Sequence, residues 1–337
     1  MNSEALNQFI EHIENHSAIA ICAPASPDGD SIGTQCALLE AFELKYPNKN
    51  FTILSEEPLQ KCYQHLALSS RLELSKDYIA KQPNKSNWPS LMIVVDGGWT
   101  RMGDSTTQLW KNATNTLQID HHMSAQNGVT DYDHVLFDPH AASTTILADK
   151  LIAHLDIPLN KSVAEALYIG LIYDTGMFKH SNTTPETHLL AAKLLKTGFN
   201  HTECAEKTLM IRSPAALKLQ KKLLEKMNTN KNNKTVFACI NLEDFKSTQA
   251  TADDKDGLIN ILFLTDPCQV AYLAVETKKD LWKVSFRSRG PDVSLLAKKL
   301  SEHGGGHKLA SGCTLIDFNE ESVIKHINTQ LDQHLSL

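Results

Sequence analysis

The sequence predicts an α/β fold: an N-terminal domain built on a largely parallel sheet, joined by helices to a smaller α+β domain. Two patterns point there. Short apolar runs at residues 18–22, 51–54, 91–95, 116–119 and 134–137 alternate with stretches of helical spacing, as buried parallel strands and their crossover helices do. After an Asn- and Lys-rich polar stretch at 228–234 the rhythm changes, with strand-like runs at 236–240, 270–275, 282–287 and 311–316. Length agrees, since 337 residues at roughly 150 per domain give about two domains.

Each element has a local reason. Leu6, Phe9, Ile10 and Ile13 carry helical spacing. The first strand is broken by Pro24-Ala25-Ser26-Pro27 and followed by a helix over 32–44. Further helical patterns lie at 58–65, 142–154 and 162–173, the last ending at Asp174-Thr175-Gly176. Thr184-Pro185-Glu186 supplies an N-cap, a first-turn proline and an acid for a helix that should stop at Gly198. Ser213-Pro214 opens the next, whose Lys218, Lys221, Lys222 and Lys226 read as a solvated face. Helices near 256–264, 294–300 and 320–331 complete the second domain. The expected division is a catalytic domain over 1–185, a helical connector and linker over 186–233, and a substrate-binding domain over 234–337.

Composition narrows the class. The chain is 42% hydrophobic and 21% charged, which is ordinary for a globular protein and excludes wholesale disorder. Subtracting 39 acidic from 33 basic residues leaves a net charge of −6, so long nucleic acid is not an expected partner. No Lys or Arg precedes Lys45, which argues against a basic targeting segment, and no apolar run approaches a membrane span. The seven cysteines are scattered without a C-x-x-C pair, arguing against a disulfide framework or a thiolate zinc site. A cytoplasmic location is expected, and a homodimer stays open.

The chemistry gathers where apolar runs end. Asp28-Gly29-Asp30-Ser31-Ile32-Gly33 follows the first strand, Asp96 follows the 91–95 run, Asp120-His121-His122 follows the 116–119 run, and Asp174 ends an apolar helix. Ligands of open parallel sheets bind outside the carboxyl ends of the strands. A lone Asp at a strand end is more often a cap, and Asp28 or Asp30 alone would suit the helix that follows. Four such motifs together point instead to a metal site, because clustered carboxylates repel one another unless a cation lies between them. Oxygen ligands with imidazole suit manganese or magnesium. In the second domain, Gly304, Gly305, Gly306 and His307 follow a strand ending at Arg287 and Arg289. Glycines let backbone approach a ligand, and arginine forks onto phosphate.

These residues, in this order, resemble the DHH family of phosphoesterases with a C-terminal DHH-associated domain of the Gly-Gly-Gly-His type. The resemblance runs over almost the whole chain, through Pro27–Gly33, Val95-Asp96, Ile119-Asp120-His121-His122, Tyr173-Asp174-Thr175-Gly176, Val284-Ser285-Phe286-Arg287-Ser288 and Gly304-Gly305-Gly306-His307. It is closest to the short two-domain members acting on dinucleotides and nanoRNAs. It implies two Mn²⁺ ions, with Mg²⁺ as an alternative. Asp28 and Asp96 would hold the first; Asp30, Asp96, His121 and Asp174 would hold the second. His122 would face the scissile phosphate and Asp120 would orient the histidines, making these two the catalytic pair. Arg287, His307 and the backbone of Gly304, Gly305 and Gly306 would bind a short substrate. The expected activity is hydrolysis of diribonucleotides such as pGpG to mononucleotides. The alternatives are a 3′-phosphatase acting on phosphoadenosine phosphate and a non-hydrolytic nucleotide-binding regulator. One departure stands out: the family places a histidine four residues before its first Asp, and this chain has Pro24 there. The first site is therefore expected to be weak, completed by water or substrate, or filled by an imidazole from elsewhere such as His140 or His180.

Overall fold

The computed structural model describes residues 2–122, 131–230, 234–302 and 304–335. The chain forms two compact units, Met1–Ile211 and Arg212–Leu337, so the expected connector over 186–233 is divided between them.

In the first unit the strands are β1 (Ala18–Cys22), β2 (Asn50–Ser55), β3 (Leu72–Leu74), β4 (Leu91–Val95), β5 (Asn115–Asp120) and β6 (His134–Phe137). The helices are α1 (Ser3–Glu14), α2 (Gly29–Lys45), α3 (Ser75–Lys81), α4 (Asp104–Trp110), α5 (Thr144–His154), α6 (Lys161–Asp174), α7 (Pro185–Leu195) and α8 (His201–Ala205). All strand pairings are parallel, in the order β3-β2-β1-β4-β5-β6. The order reverses between β1 and β4, and a crevice opens at the carboxyl ends of such a pair.

Strand periodicity builds a core on each face. Ile19, Ile21, Ile93 and Val95 point into one cluster with residues of α2, α5 and α6. Ala20, Cys22, Met92 and Val94 point into the other with Tyr78, Met102 and Leu109. Helix α6 is apolar nearly all round because it is buried nearly all round.

Helices α2 and α6 run antiparallel and very close. A β-carbon on Gly29 would meet the Tyr173 ring at 2.8 Å, and one on Gly33 would meet the Ala166 carbonyl oxygen at 2.3 Å. A β-carbon on Gly170 would meet Asp30 Oδ1 at 2.6 Å. These three glycines let the start of α2 reach the end of α6, which brings Asp30 to Asp174.

The second unit holds α9 (Pro214–Glu225), β7 (Asn228–Thr229), β8 (Thr235–Ile240), α10 (Leu242–Thr248), α11 (Leu258–Phe263), β9 (Val270–Lys278), β10 (Leu281–Ser288), α12 (Val293–Leu300), β11 (Gly305–His307), β12 (Ala310–Ile316) and α13 (Glu320–Leu335). Its sheet runs β11-β12-β10-β9-β8-β7 and is antiparallel except between β8 and β9. One face packs with Val293, Leu296 and Val323, and the other, at β8 and β9, with Leu219, Leu258 and Leu262.

Most strands and the long helices lie where the sequence puts them. The helical pattern at 58–65 yields only a 3-10 turn, Lys61–Tyr63. Helix α4 gives no sequence signal, because its capping group comes from a distant loop. Glu56 accepts hydrogen bonds from the backbone N–H groups of Ser105 and Thr106 at 3.1 and 2.9 Å. Helices α3 and α10, and strands β3, β7 and β11, were likewise too short to announce themselves.

The glycine contact yields a stability test. Gly33→Ala should cost about 1–3 kcal/mol through overpacking and lower the thermal midpoint. Gly290→Ala, where no atom lies within 4 Å of an added β-carbon, should leave that midpoint within about half a kcal/mol of unchanged. Equal melting of both variants would show that α2 and α6 are free to move apart.

Candidate metal centre

Four segments deliver the site, and each has a local cause. After β1, Asp28 is the N-cap of α2: its Oδ1 accepts from the N–H groups of Asp30 and Ser31 at 3.0 and 3.2 Å. Asp30, in the first turn, is fully buried. Its carboxylate accepts from the backbone N–H groups of Thr144 and Thr145 at 2.6 and 3.0 Å, so the positive end of α5 faces it.

Asp96 follows β4 with φ 59°. A non-glycine residue in that region costs about 1–3 kcal/mol and persists only where its surroundings impose it. The side chain accepts from the Ser31 hydroxyl at 2.6 Å and the Thr144 hydroxyl at 3.2 Å. Asp174 closes α6, and Gly176, Met177 and Phe178 behind it all have positive φ. His180 Nδ1 and the Asn182 amide hold the Asp174 carbonyl oxygen at 2.9 and 3.2 Å.

The Asp120-His121-His122 motif leaves β5. His121 Nδ1 lies 3.1 Å from the Ala141 carbonyl oxygen, an acceptor, so this nitrogen carries the proton. Nε2 therefore points at the carboxylates, 3.2 Å from Asp174, 3.6 Å from Asp96 and 3.9 Å from Asp30. This buried atom faces all three carboxylates, with Asp174 the nearest of them. His122 Nδ1 donates to Asp120 Oδ1 at 2.8 Å, and Gln118 Nε2 donates to the other Asp120 oxygen at 3.1 Å.

The electrostatics follow from this crowding. Burial, then the charges of Asp28, Asp30 and Asp174, push the Asp96 carboxyl well above the usual carboxylate range. Burial and the Asp30 charge push Asp174 up to about 8. Burial opposes charge on His121, yet the adjoining Asp174 and Asp30 carboxylates outweigh it and raise the imidazole to about 9. These groups need positive charge among them, as a proton or as a cation.

A divalent ion fits the donor set. Asp30, His121 and Asp174 form one group and Asp96, His121 and His122 another, each with its potential ligand atoms within 4.8 Å of one another. Five of the residues expected from the sequence, Asp30, Asp96, His121, His122 and Asp174, thus come together. Asp120 lies behind His122 as its hydrogen-bond partner. Asp28 joins neither group and spends one oxygen on the helix cap.

Pro24 is buried, and its ring lies 2.7 Å from where a β-carbon on Gly97 would stand. Neither expected substitute joins a ligand group: His140 is exposed, and exposed His180 spends Nδ1 on the Asp174 carbonyl oxygen. Sequence reasoning missed Ser31, Thr144, Thr145 and Gln118, which support the carboxylates. The run Ser143-Thr144-Thr145 at a helix start was the available signal.

In the second unit, Arg287 of β10 and His307 of β11 both pair with Ala310 of β12. Directly paired residues share a face, so the two lie level on one side of the sheet, with Lys283 and Ser285 on the same side of β10. The glycines differ from one another. A β-carbon on Gly304 would meet the Ala297 carbonyl oxygen at 1.8 Å; Gly306 has φ 132° and would meet Ala310 oxygen at 2.7 Å. Gly305 has open space. Arg289 is committed to structure: it donates to the carbonyl oxygens of Cys268 and Phe263, with its guanidinium over the Phe263 ring.

Two family models match this chain: the DHH family N-terminal domain over residues 18–171 and the DHHA1 domain over residues 232–336. The chain thus carries a DHH N-terminal domain followed by a DHHA1 domain. The candidate metal centre falls within the DHH match or, for Asp174, three residues past its end. The bifunctional oligoribonuclease and PAP phosphatase NrnA of Bacillus subtilis is 27% identical over 338 residues, covering 97% of this chain and 99% of its own. Its namesake from Thermus thermophilus is 28% identical over 317 residues, covering 93% and 90%. The crystal structure of an exopolyphosphatase-related protein from Bacteroides fragilis superposes with a TM-score of 0.88 at 21% identity, covering 98% of this chain and 96% of that one. The fold is therefore shared with a solved structure over nearly its full length.

Two outcomes follow from the centre. With Mn²⁺ as probe, a concentration about a hundred times the dissociation constant should stabilise the protein by about 2.7 kcal/mol. A thermal melt should rise accordingly, and the rise should vanish in Asp174→Ala. No shift in the native protein would mean that the cluster holds only protons. Separately, Pro24→His should lower the Mn²⁺ concentration needed for half-maximal activity, because it returns an imidazole beside Asp28 and Asp96. An unchanged metal requirement would show that the Pro24 position takes no part in binding.

Proposed function

We propose that this chain is a metal-dependent phosphodiesterase that hydrolyses short oligoribonucleotides, diribonucleotides such as pGpG among them, to mononucleotides. The observation that carries the reading is the Nε2 of His121, buried among three carboxylates at the switch point of the sheet. The near full-length likeness to proteins named oligoribonuclease and PAP phosphatase supports the substrate class. It also supports a second activity, removal of the 3′-phosphate from phosphoadenosine phosphate.

Asp30, Asp96, His121 and Asp174 would hold one ion, and Asp28 and Asp96 a second, weaker one; Mn²⁺ is the proposed ion, with Mg²⁺ as the alternative. Divalent ions in such a site supply an activated water and offset the charge of the phosphate. The rest falls to the chain. Thr144 and Thr145 fix the Asp30 carboxylate, so both its oxygens keep their direction. Ser31 and Thr144 fix Asp96 in the same way. Asp120 accepts the hydrogen bond of His122 Nδ1–H, which would leave Nε2 as the atom where a proton is accepted or released beside the leaving oxygen. Arg287, which also donates to the Phe286 carbonyl oxygen at 3.0 Å, and His307, level on one sheet face, would bind a substrate phosphate. Gly305 leaves room beside them.

The test is a substrate panel with Mn²⁺, Mg²⁺ or chelator: pGpG, pApA, longer oligoribonucleotides, phosphoadenosine phosphate and a cyclic dinucleotide. Dinucleotides should be cleaved fastest, rates should fall as chains lengthen, and chelator should stop turnover. Asp174→Ala should reduce the rate on pGpG by roughly a thousandfold or more, about 4 kcal/mol of transition-state stabilisation. Metal binding without turnover of any member would instead favour a nucleotide-binding regulator. Rapid degradation of long strands would contradict the short-substrate reading.

A further inference from the structure

A second cluster of ligand atoms lies in the first unit, apart from the carboxylate centre. His65, Glu165 and Cys204 each offer one donor atom, and the three atoms lie within 4.8 Å of one another. They come from separate elements. His65 follows the 3-10 turn Lys61–Tyr63, Glu165 is in the first half of α6, and Cys204 is in α8, just before the π-helical turn Glu206–Met210.

Their environment is that of ligands held in reserve. Both ring nitrogens of His65 are buried, and the Cys62 backbone is hydrogen-bonded to the ring. A buried ring nitrogen left without a partner costs about 1–3 kcal/mol. Burial is the largest influence on the ring and lowers its pKa, with the Cys62 backbone opposing that effect, so the imidazole is in the neutral form that coordinates metals. Cys204 is fully buried, and burial drives its thiol far above the ordinary range. As a nucleophile it is silent. Burial and the neighbouring Glu203 also raise Glu165. The π-helical turn is itself uncommon and tends to accompany functional positions.

We propose that His65, Glu165 and Cys204 form a zinc-binding site that ties the 61–65 segment to α6 and α8. Nitrogen, carboxylate oxygen and sulfur together suit Zn²⁺, which takes such ligands at about 2.0–2.3 Å in tetrahedral geometry. That geometry places ligand atoms roughly 3.5 Å apart, so small side-chain rotations bring the three donors to it. The fourth position is filled by water. Coordination replaces the thiol proton of Cys204 by the metal: Zn²⁺ binds the sulfur and one H⁺ leaves to solvent. The chemistry differs from that of the catalytic cluster, which offers only oxygen and imidazole nitrogen. A thiolate selects the softer ion, and α6, which ends at Asp174, would be clamped near its other end.

Cobalt(II) is the probe, because thiolate ligation gives it a near-ultraviolet charge-transfer absorption that oxygen and nitrogen ligands do not. Chelator-stripped full-length protein is titrated with Co²⁺ and then with Zn²⁺. Cobalt in excess of the carboxylate centre should produce the charge-transfer band, saturating at one thiolate per chain, and Zn²⁺ should bleach it. The band should be absent in Cys204→Ala, and His65→Gln should weaken cobalt binding at this site at least tenfold. Absence of the band in the native protein would overturn the proposal, whatever the variants do. So would its persistence in either Cys204→Ala or, at unchanged affinity, His65→Gln.

Discussion

The structure of the first unit turns on one buried carboxylate. Asp30 is fully buried, and a buried charge is tolerated only when polar groups meet it. The first two N–H groups of α5 do so, which fixes α5 against the start of α2. Glycines at 29, 33 and 170 then let α6 pass close enough for Asp174 to arrive on the other side. The sheet order does the remainder, because the chain leaves the neighbouring strands β1 and β4 towards opposite sides of the sheet where these groups meet. Helix ends, glycines and strand order are thus parts of one electrostatic solution.

That solution is deliberately incomplete. Asp30 has two backbone donors, Asp96 has two hydroxyls, and Asp120 has Gln118 and His122. Each therefore has its orientation set before any ligand arrives. His121 Nε2 and the carboxylates facing it are not balanced in this way, and the imbalance raises the pKa values of Asp96, Asp174 and His121 together. A fold that satisfied these atoms internally would be more stable and would have nothing left with which to hold a cation. The left-handed backbone at Asp96 and at residues 176–178 is a further cost, borne beside the same atoms.

Much of this was legible in the sequence because the controlling patterns are local. Alternating short apolar runs and helices disclosed the parallel sheet, and acids at the ends of those runs disclosed the cluster. Thr184-Pro185 and Ser213-Pro214 marked helix starts that the structure places at the same residues. What escaped notice depends on partners far along the chain. Glu56 caps α4 from a loop some fifty residues earlier, so nothing near residue 104 signals a helix. Thr144 and Thr145 read as an ordinary helix start, and only folding brings the Asp30 carboxylate against their N–H groups. Arg289 matched a phosphate ligand by type, yet two backbone carbonyl oxygens and an aromatic ring occupy it. The scattered cysteines argued against a thiolate site on spacing alone, and His65, Glu165 and Cys204, which the fold brings together, lie far apart along the chain.

The three consecutive glycines of the second unit are three different kinds of position. Gly304 is pinned by the Ala297 carbonyl oxygen, and Gly306 by its backbone angle and the neighbouring strand, so neither admits a side chain. Gly305 is bounded by nothing within 4 Å. The motif is therefore a frame with one adjustable place, set two residues along β11 from the row shared by Arg287, Ala310 and His307. Ligand preference can diverge there by a single substitution while the frame around it stays fixed, and a designer seeking a changed substrate range has the same starting point.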